Sequence, residues 1–242
     1  MKASLFITCI CDNFYPEIGE SMLKILRKYG VDVDFPYQQT CCGQPAFNTG
    51  YWDDARTVAR TVVDAFKDSQ YVVAPSGSCI AMIKEYYPVL FAKDPGYAKS
   101  AEELAGKVYE FSQFLVEVIQ VQELNCRFPY QVTFHPSCHG SRLLGLSPII
   151  NKLLNMVEGL KLVELPHAEQ CCGFGGTFSV KMPEISKAMV DEKVDHILET
   201  GADYVVGMDM GCLMNIGGRL QKEGHNIKTI HIAQLLDEGM TR

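Results

Sequence analysis

The sequence predicts an α/β protein made of two tandem, pseudo-symmetric domains, each with βαβ-type units and a mainly parallel sheet. Short β-branched runs alternate with amphipathic helical segments along all 242 residues, a pattern typical of parallel sheets with crossover helices. A set of cysteines centred on Cys-Cys-Gly also occurs twice with nearly the same spacing. A chain of this length holds one large domain or two domains of about 120 residues each.

Seven short segments predict the strands. Each is four to six residues long and rich in β-branched, aromatic or other apolar residues. In chain order they are 3–8, 31–35, 71–74, 131–135, 161–165, 204–207 and 227–230.

Longer segments with a period near 3.6 residues predict the helices. In 17–29, for example, Ile18, Met22 and Ile25 fall on one face. The predicted helices are 17–29, 52–67, 98–121, 146–157 and 183–200. We place the domain boundary after the long middle helix, which gives a first domain of 1–125 and a second of 126–242.

The cysteines show the internal repeat most clearly. Cys9 precedes Cys41 by 32 positions, and Cys138 precedes Cys171 by 33 positions. A vicinal partner and a glycine follow in both halves, and a last cysteine comes 37 or 40 positions later. The two sets are Cys9, Cys41, Cys42 and Cys79, then Cys138, Cys171, Cys172 and Cys212.

Each cysteine position in these sets follows a predicted strand. Ligands of open α/β sheets bind outside the carboxyl ends of the strands, so each half should bring four thiolates to one edge of its sheet. Four thiolates suit an iron–sulfur cluster or Zn²⁺. The vicinal pair favours a multi-iron cluster, and Gly43 and Gly173 allow the backbone to approach it closely.

Composition and charge exclude several classes of protein. The net charge is −7 and no Lys/Arg patch occurs, which argues against a nucleic-acid partner. The apolar run at the N-terminus ends without a small-residue cleavage site, so we expect a first buried strand there and not a signal peptide. No stretch reaches the ~18 apolar residues of a membrane span. We therefore expect a cytoplasmic protein, where cysteine patterns indicate metal or redox chemistry more often than disulfides.

Other residues near the motifs have less specific interpretations. Cys126 has no counterpart and is expected to be a small buried residue, whereas Cys11 is either such a residue or a fifth thiolate of the first set. His135 and His139 flank Cys138 and could bind metal, move protons or donate to cluster sulfurs. The favoured interpretation for both is a turn residue with a local hydrogen bond.

Three motifs carry a resemblance to a known family. CCGQP at 41–45, CCGFGGTF at 171–178 and CLMNIGGRL at 212–220 resemble the CCG family of cysteine-rich proteins, in particular the small iron–sulfur subunit of bacterial lactate-utilisation systems. The resemblance covers essentially the whole chain. It implies that the eight repeated cysteines are ligands of two clusters of the 4Fe–4S type, with cubane or non-cubane geometry open and zinc in one site as an alternative.

The resemblance also implies a function. The chain would be the electron-transfer subunit of a cytoplasmic oxidoreductase complex whose other subunits oxidise L-lactate to pyruvate; its redox partner is not identified. No flavin or nicotinamide motif and no convincing acid–base pair occurs, so no catalytic residue is assigned and the chain is expected to be a non-catalytic or co-catalytic subunit.

Two alternatives remain. One is a disulfide-reducing subunit like those of heterodisulfide reductase, although Met82 and Asn215 stand where that family has second cysteines. The other is a zinc-binding assembly module.

Overall fold

The computed structural model describes residues 1–240 and contains two four-stranded sheets in which every pair of neighbouring strands is parallel. The first sheet has the order β2-β1-β3-β4 and the second has the order β6-β5-β7-β8, so the two halves share one topology. The strands are β1 (Lys2–Leu5), β2 (Asp32–Asp34), β3 (Val72–Ala74), β4 (Val108–Glu110), β5 (Gln131–Phe134), β6 (Lys161–Val163), β7 (Tyr204–Gly207) and β8 (Lys228–His231). This confirms the predicted α/β class and the tandem repeat.

Helices connect the strands in both halves. The first half contains α1 (Cys9–Phe14), α2 (Glu17–Lys28), α3 (Gln44–Asn48), α4 (Trp52–Phe66), α5 (Gly77–Ala81), α6 (Tyr87–Phe91), α7 (Ala98–Ala105) and α8 (Phe111–Gln113), with π-helical turns at Met82–Tyr86 and Phe114–Val118. The second half contains α9 (Cys138–Arg142), α10 (Ser147–Asn155), α11 (Phe178–Lys181), α12 (Pro183–Glu199), α13 (Met210–Lys222) and α14 (Ile232–Met240).

The burial of these elements follows their sequence patterns. All three residues of β3 are completely buried, as expected of a central parallel strand covered on both faces by helices. The helix α2 buries Ile18, Met22 and Ile25 along one stripe, which is the face that the 3.6-residue period predicts.

The two halves share one hydrophobic core at their junction. The last helix, α14, packs on α2 of the first half, and α8 packs against α10 of the second half. Phe111 and Phe128 are both fully buried in this common cluster. Ser21 Oγ donates a hydrogen bond of 3.0 Å to Asp237 Oδ2 across the same junction. The packing of α14 on the first half and of α8 on the second half fixes the position of one sheet relative to the other.

The prediction of one helix over 98–121 is wrong. The helix α7 ends at Ala105, and β4 then pairs with β3 in the register Val72↔Val108 before the chain becomes helical again at Phe111. Val108 and Glu110 are completely buried, so tertiary contacts of this edge strand outweigh the local helical pattern. The boundary between 125 and 126 follows these elements and stays a prediction.

Within residues 1–240, none of the helices combines the length and the apolar character needed to cross a membrane.

Candidate functional site

The first cysteine of each set begins a helix directly after the first strand of its sheet. Cys9 is the first residue of α1, and Cys138 is the first residue of α9. The Ser137 hydroxyl caps α9 by accepting a hydrogen bond of 3.3 Å from Gly140 N. The strand therefore delivers each thiol to the carboxyl edge of the sheet, where the sequence predicted it.

The vicinal cysteines lie in turns that require glycine. Gly43 and Gly173 have φ values of 83° and 80°, in the left-handed region that favours glycine. A Cβ at Gly173 would lie 2.6 Å from Ser186 O, closer than real Cβ atoms approach. This conformation turns the glycine N–H groups back, so that Gly43 N donates to Cys41 Sγ at 3.5 Å and Gly173 N donates to Cys171 Sγ at 3.4 Å.

A side chain from a helix, α6 in the first half and α13 in the second, holds the second cysteine of each pair. Tyr87 Oη donates a hydrogen bond of 2.9 Å to the carbonyl of Cys42, and Asn215 Nδ2 donates one of 2.7 Å to the carbonyl of Cys172. Asn215 lies three residues after Cys212 on the same helix. In this chain its amide positions the vicinal pair.

The last cysteine of each set is the third residue of a helix. Cys79 lies in α5 and Cys212 lies in α13, and the N-cap positions of these helices are Ser76 and Asp209. Ser76 Oγ accepts a hydrogen bond of 3.2 Å from Cys79 N. Asp209 instead contacts the first half of the chain: its Oδ1 accepts hydrogen bonds from Ser76 Oγ at 2.6 Å and Ser78 Oγ at 2.8 Å.

The four thiols of each set form a connected row. Cys9 Sγ lies 3.7 Å from Cys41 Sγ, and side-chain hydrogen bonds continue from Cys41 to Cys42 and from Cys42 to Cys79. The second half repeats this order in Cys138, Cys171, Cys172 and Cys212. The sequence-predicted sets are thus each brought together in space.

In both rows, one thiol has a lowered pKa and its neighbours have raised pKa values. Hydrogen bonds from Cys42 and Cys9 hold the pKa of Cys41 well below its usual range, and bonds from Cys138 and Cys172 do the same for Cys171. The neighbouring thiolate raises the pKa of the other thiols, namely Cys9, Cys42, Cys138 and Cys172. Without a cation, each row therefore favours one thiolate, and several thiolates in one row would need a positively charged partner such as a metal group.

Both rows face one cavity of about 350 Å³ between the halves. All eight repeated cysteines line it, together with small or polar residues that include Ser76, Ser137 and Gly175. The sequence predicted a site in each half, and the structure shows that the two sites open into the same space.

The second row has a more polar environment than the first. His135 lies three residues before Cys138, and Phe6 lies three residues before Cys9. Their backbone N–H groups make equivalent bonds, from Phe6 to Val73 O and from His135 to Val206 O, each 2.9 Å long. Burial, followed by the positive charge of Lys193, lowers the pKa of His135 to about 3, so its imidazole is neutral at pH 7.

Lys193 brings a buried positive charge toward the second row. Its side chain is fully buried, and Nζ donates hydrogen bonds to the carbonyls of His167 at 2.9 Å and Ala168 at 3.2 Å. Burial lowers its pKa, whereas the charges of Cys172 and its neighbouring thiolates raise it. A cation in this position favours an anionic group in the second site.

The remaining sequence candidates lie in different places. Cys11 is 1% exposed, belongs to the hydrophobic core and does not line the cavity. Cys126 is also buried, and its Sγ lies 3.6 Å from Leu236 O, as expected of a packing residue. His139 lines the cavity. His135 lacks the expected local hydrogen bond, because neither ring nitrogen has a partner within residues 1–240.

Sequence reasoning missed Asp209, Ser76 and Lys193. Asp209 and Ser76 occupy equivalent positions, three residues before Cys212 and Cys79, so the repeat itself was an available signal for them. Lys193 lies inside a charged helical segment and gave no signal, since its burial depends on the tertiary fold.

The residues fit an iron–sulfur group. Ten of ten cysteines are free thiols, none of them in a disulfide within residues 1–240, and eight converge in two rows beside a cavity. Soft thiolates and inward backbone N–H groups are the donor set that such clusters use. Four thiolates also suit zinc, so the donor type alone does not separate the two metals.

Comparison with known proteins agrees with the repeat. The cysteine-rich domain model CCG matches residues 3–84 and again residues 132–217. "Lactate utilization protein A 1" of Bacillus mycoides is 53% identical over 238 residues, which cover 98% of this chain and 97% of that protein. "Lactate utilization protein A" of Halalkalibacterium halodurans is 54% identical over 237 residues, with the same coverage of both chains.

A solved structure shares the fold. The crystal structure of a hypothetical protein from Helicobacter pylori matches with a TM-score of 0.68 at 15% identity, covering 100% of this chain and 49% of that one. At this identity the match concerns the fold alone. The two CCG matches and the full-length identities show that the chain belongs to the cysteine-rich CCG family and, within it, to the lactate utilization protein A group.

Proposed function

We propose that this chain is the iron–sulfur electron-transfer subunit of a cytoplasmic complex that oxidises L-lactate to pyruvate. One observation carries the proposal: eight cysteines, in two connected rows, converge on a single cavity between the halves. The ligands would be Cys9, Cys41, Cys42 and Cys79 for one group and Cys138, Cys171, Cys172 and Cys212 for the other.

The protein's own residues have defined roles in this proposal. The cysteines hold the metal groups, which supply one-electron redox chemistry when bound. The N–H groups of Gly43 and Gly173 donate to thiolate sulfurs, and such bonds raise the reduction potential of a cluster. Cys42, Cys79 and Cys172 are buried, which limits the access of water to those sulfurs.

The shared cavity supports electron transfer between the two groups. Because both rows face the same space, two groups bound there would lie close to each other with no protein layer between them. Oxidation of L-lactate to pyruvate releases two electrons, and two one-electron acceptors match that number.

The choice of lactate as the substrate of the complex rests on the names of similar proteins. Proteins named "Lactate utilization protein A" are more than half identical to this chain over nearly its whole length. We place the lactate-oxidising site on partner subunits, since the sequence of this chain shows no flavin or nicotinamide motif and no convincing acid–base pair. The chain would accept electrons from those partners.

The cavity also favours a second candidate, reduction of a small disulfide. The space of about 350 Å³ beside both rows is of a size that admits a small molecule. Thiols whose pKa is held low, such as Cys41 and Cys171, are suited to thiol–disulfide exchange. Asn215 in place of a second cysteine disfavours this candidate.

The proposal can be tested by asking whether lactate reduces the bound metal groups. The anaerobically purified, oxidised protein is mixed with an extract of cells grown on L-lactate, and electron paramagnetic resonance is recorded before and after addition of L-lactate. We expect signals of reduced clusters only when both extract and L-lactate are present. Clusters that stay oxidised while the extract consumes lactate contradict the proposal, and turnover of a disulfide by the reduced protein favours the second candidate.

A further inference from the structure

The imidazole of His135 is buried without any hydrogen-bond partner. The residue is 1% exposed, and neither Nδ1 nor Nε2 finds a donor or acceptor within residues 1–240. A buried polar group without a partner destabilises the folded state, so such a side chain requires an explanation. In buried His231, by contrast, both ring nitrogens have a hydrogen-bond partner: Nε2 contacts Pro75 O at 3.2 Å, and Nδ1 contacts Ala233 N at 3.1 Å.

The ring of His135 lies beside two cysteines of the second row. One ligand atom each from His135, Cys172 and Cys212 lies within 4.8 Å of the others, close enough for all three to reach one metal ion. His135 does not line the cavity itself, so it approaches the sulfurs from the protein interior. Its position is fixed by the backbone bond to Val206 O at the end of β5.

The first row lacks this feature. The equivalent position holds Phe6, which is fully buried and packs its ring against Phe66 with centroids 5.5 Å apart. A phenyl ring offers no lone pair to a metal. The two rows have equivalent cysteines and therefore differ in one potential ligand.

We propose that His135 is a nitrogen ligand of the metal group held by the second cysteine set. The inference rests on the proposed function, because it takes the metal group of that set as given. A neutral imidazole is a common metal ligand and suits iron as well as zinc. Coordination would use one of the two unpartnered nitrogens and would explain why the side chain is buried at this point of the fold.

A nitrogen ligand makes the two metal groups chemically different. Where the neutral imidazole takes the iron site of one thiolate in the second row, it raises the reduction potential of that iron–sulfur centre. The second group would then have the more positive potential, so electrons would pass from the first row to the second. Lys193 adds a buried positive charge on the same side, and its effect on the potential has the same sign.

Nitrogen hyperfine spectroscopy tests the assignment directly. The holoprotein is purified anaerobically with ¹⁵N-labelled histidine, reduced, and measured by electron–nuclear double resonance. We expect a strongly coupled histidine nitrogen in one of two cluster signals. We expect this coupling to be absent from His135→Phe, which copies the first row, and unchanged in Phe6→Leu.

A second variant covers the case in which His135→Phe fails to fold. His135→Cys retains a metal-binding side chain, so it should keep the iron content of the native protein while losing the nitrogen coupling and shifting the second potential downward. A coupling that is weak in the native protein, as for a hydrogen bond to sulfur, overturns the inference. A strong coupling that survives in His135→Cys also overturns it.

Different results would overturn the role of His135 and the electron-transfer function. Iron in both cysteine sets without a strongly coupled nitrogen overturns only the role of His135. A purified protein that holds zinc and no iron, even after anaerobic reconstitution, contradicts the electron-transfer proposal, and zinc coordination by His135 then shows up as loss of zinc in His135→Phe.

Discussion

Ser76 Oγ donates a hydrogen bond of 2.6 Å to Asp209 Oδ1, and this contact joins the two halves of the protein at the site. Each residue lies three positions before the last cysteine of its set, Cys79 or Cys212. The same two residues also form an isolated antiparallel bridge. The contact therefore ties equivalent points of the two repeats together and sets the separation of the two cysteine rows.

Asp209→Ala should weaken this junction. The change removes the acceptor of three hydrogen bonds from the first half, donated by Ser76 Oγ, Ser78 N and Ser78 Oγ. We expect the free energy of unfolding to fall by about 2–4 kcal/mol, because buried donors lose their partner. Urea unfolding of the anaerobic holoprotein, followed by circular dichroism, measures the loss.

Asp53→Ala is the matched control. Its carboxylate is 98% exposed and forms an ion pair with Arg56 on the same helix, so the change should cost less than about 0.5 kcal/mol. Equal stability losses in the two variants would mean that the Ser76–Asp209 contact does not support the junction.

Cys41→Ser and Cys171→Ser should each remove about half of the bound iron. Each serine replaces the thiolate that accepts a glycine N–H bond and two thiol bonds in its row. The double variant should bind essentially no iron. Cys126→Ser serves as the control, since that thiol lies in the core away from the cavity. Full iron content in both single variants would refute the ligand assignment.

Gly173→Ala should cost the protein its second metal group. The new Cβ would lie 2.6 Å from Ser186 O at a φ of +80°, so the turn carrying Cys171 and Cys172 must move. Iron analysis should show about half of the native content. The control Gly30→Ala also has a positive φ, +73°, but meets no atom within 4 Å, so it should cost about 1 kcal/mol and keep all the iron.

Glu110 should make stability depend on pH. Burial raises its pKa to about 8, well above the usual range of a glutamate, although Ser112 N and Gln113 N donate hydrogen bonds to it. The folded state therefore binds this proton more tightly than the unfolded state does. The corresponding stabilisation is full below about pH 4.5 and is lost as the pH rises through about 8.

Glu110→Gln removes this dependence while keeping an oxygen to accept the bonds. From pH 5 to pH 9, the native protein should lose about 4 kcal/mol of unfolding free energy relative to the variant. Urea unfolding at several pH values measures the difference. Glu117→Gln, at an exposed position of the same segment, controls for net charge, and a native profile parallel to that of Glu110→Gln would contradict the prediction.

The repeat made much of the fold predictable. Cys9 and Cys138 follow strands with the same spacing to their vicinal pairs, and parallel strands place such residues at one edge of a sheet. The strand β4 was not predictable in the same way. Its residues continue a helical pattern, and only pairing with β3 makes Val108–Glu110 extended.

The arrangement of the site depended on contacts between the halves. Periodicity describes each half separately, so it could not show that both cysteine rows face one cavity. That result depends on the packing of α14 on α2 and on the bond between Ser76 and Asp209, which join residues far apart in sequence. The burial of His135 and Lys193 could not be predicted for the same reason, because burial is a property of the tertiary structure.

The most direct test of iron–sulfur binding by both cysteine rows is the metal content of the protein. The chain is purified without oxygen, and iron, acid-labile sulfide and zinc are measured per chain. We expect about eight iron and about eight sulfide, as required by two four-iron clusters. Zinc without iron, even after anaerobic reconstitution, would contradict the electron-transfer function.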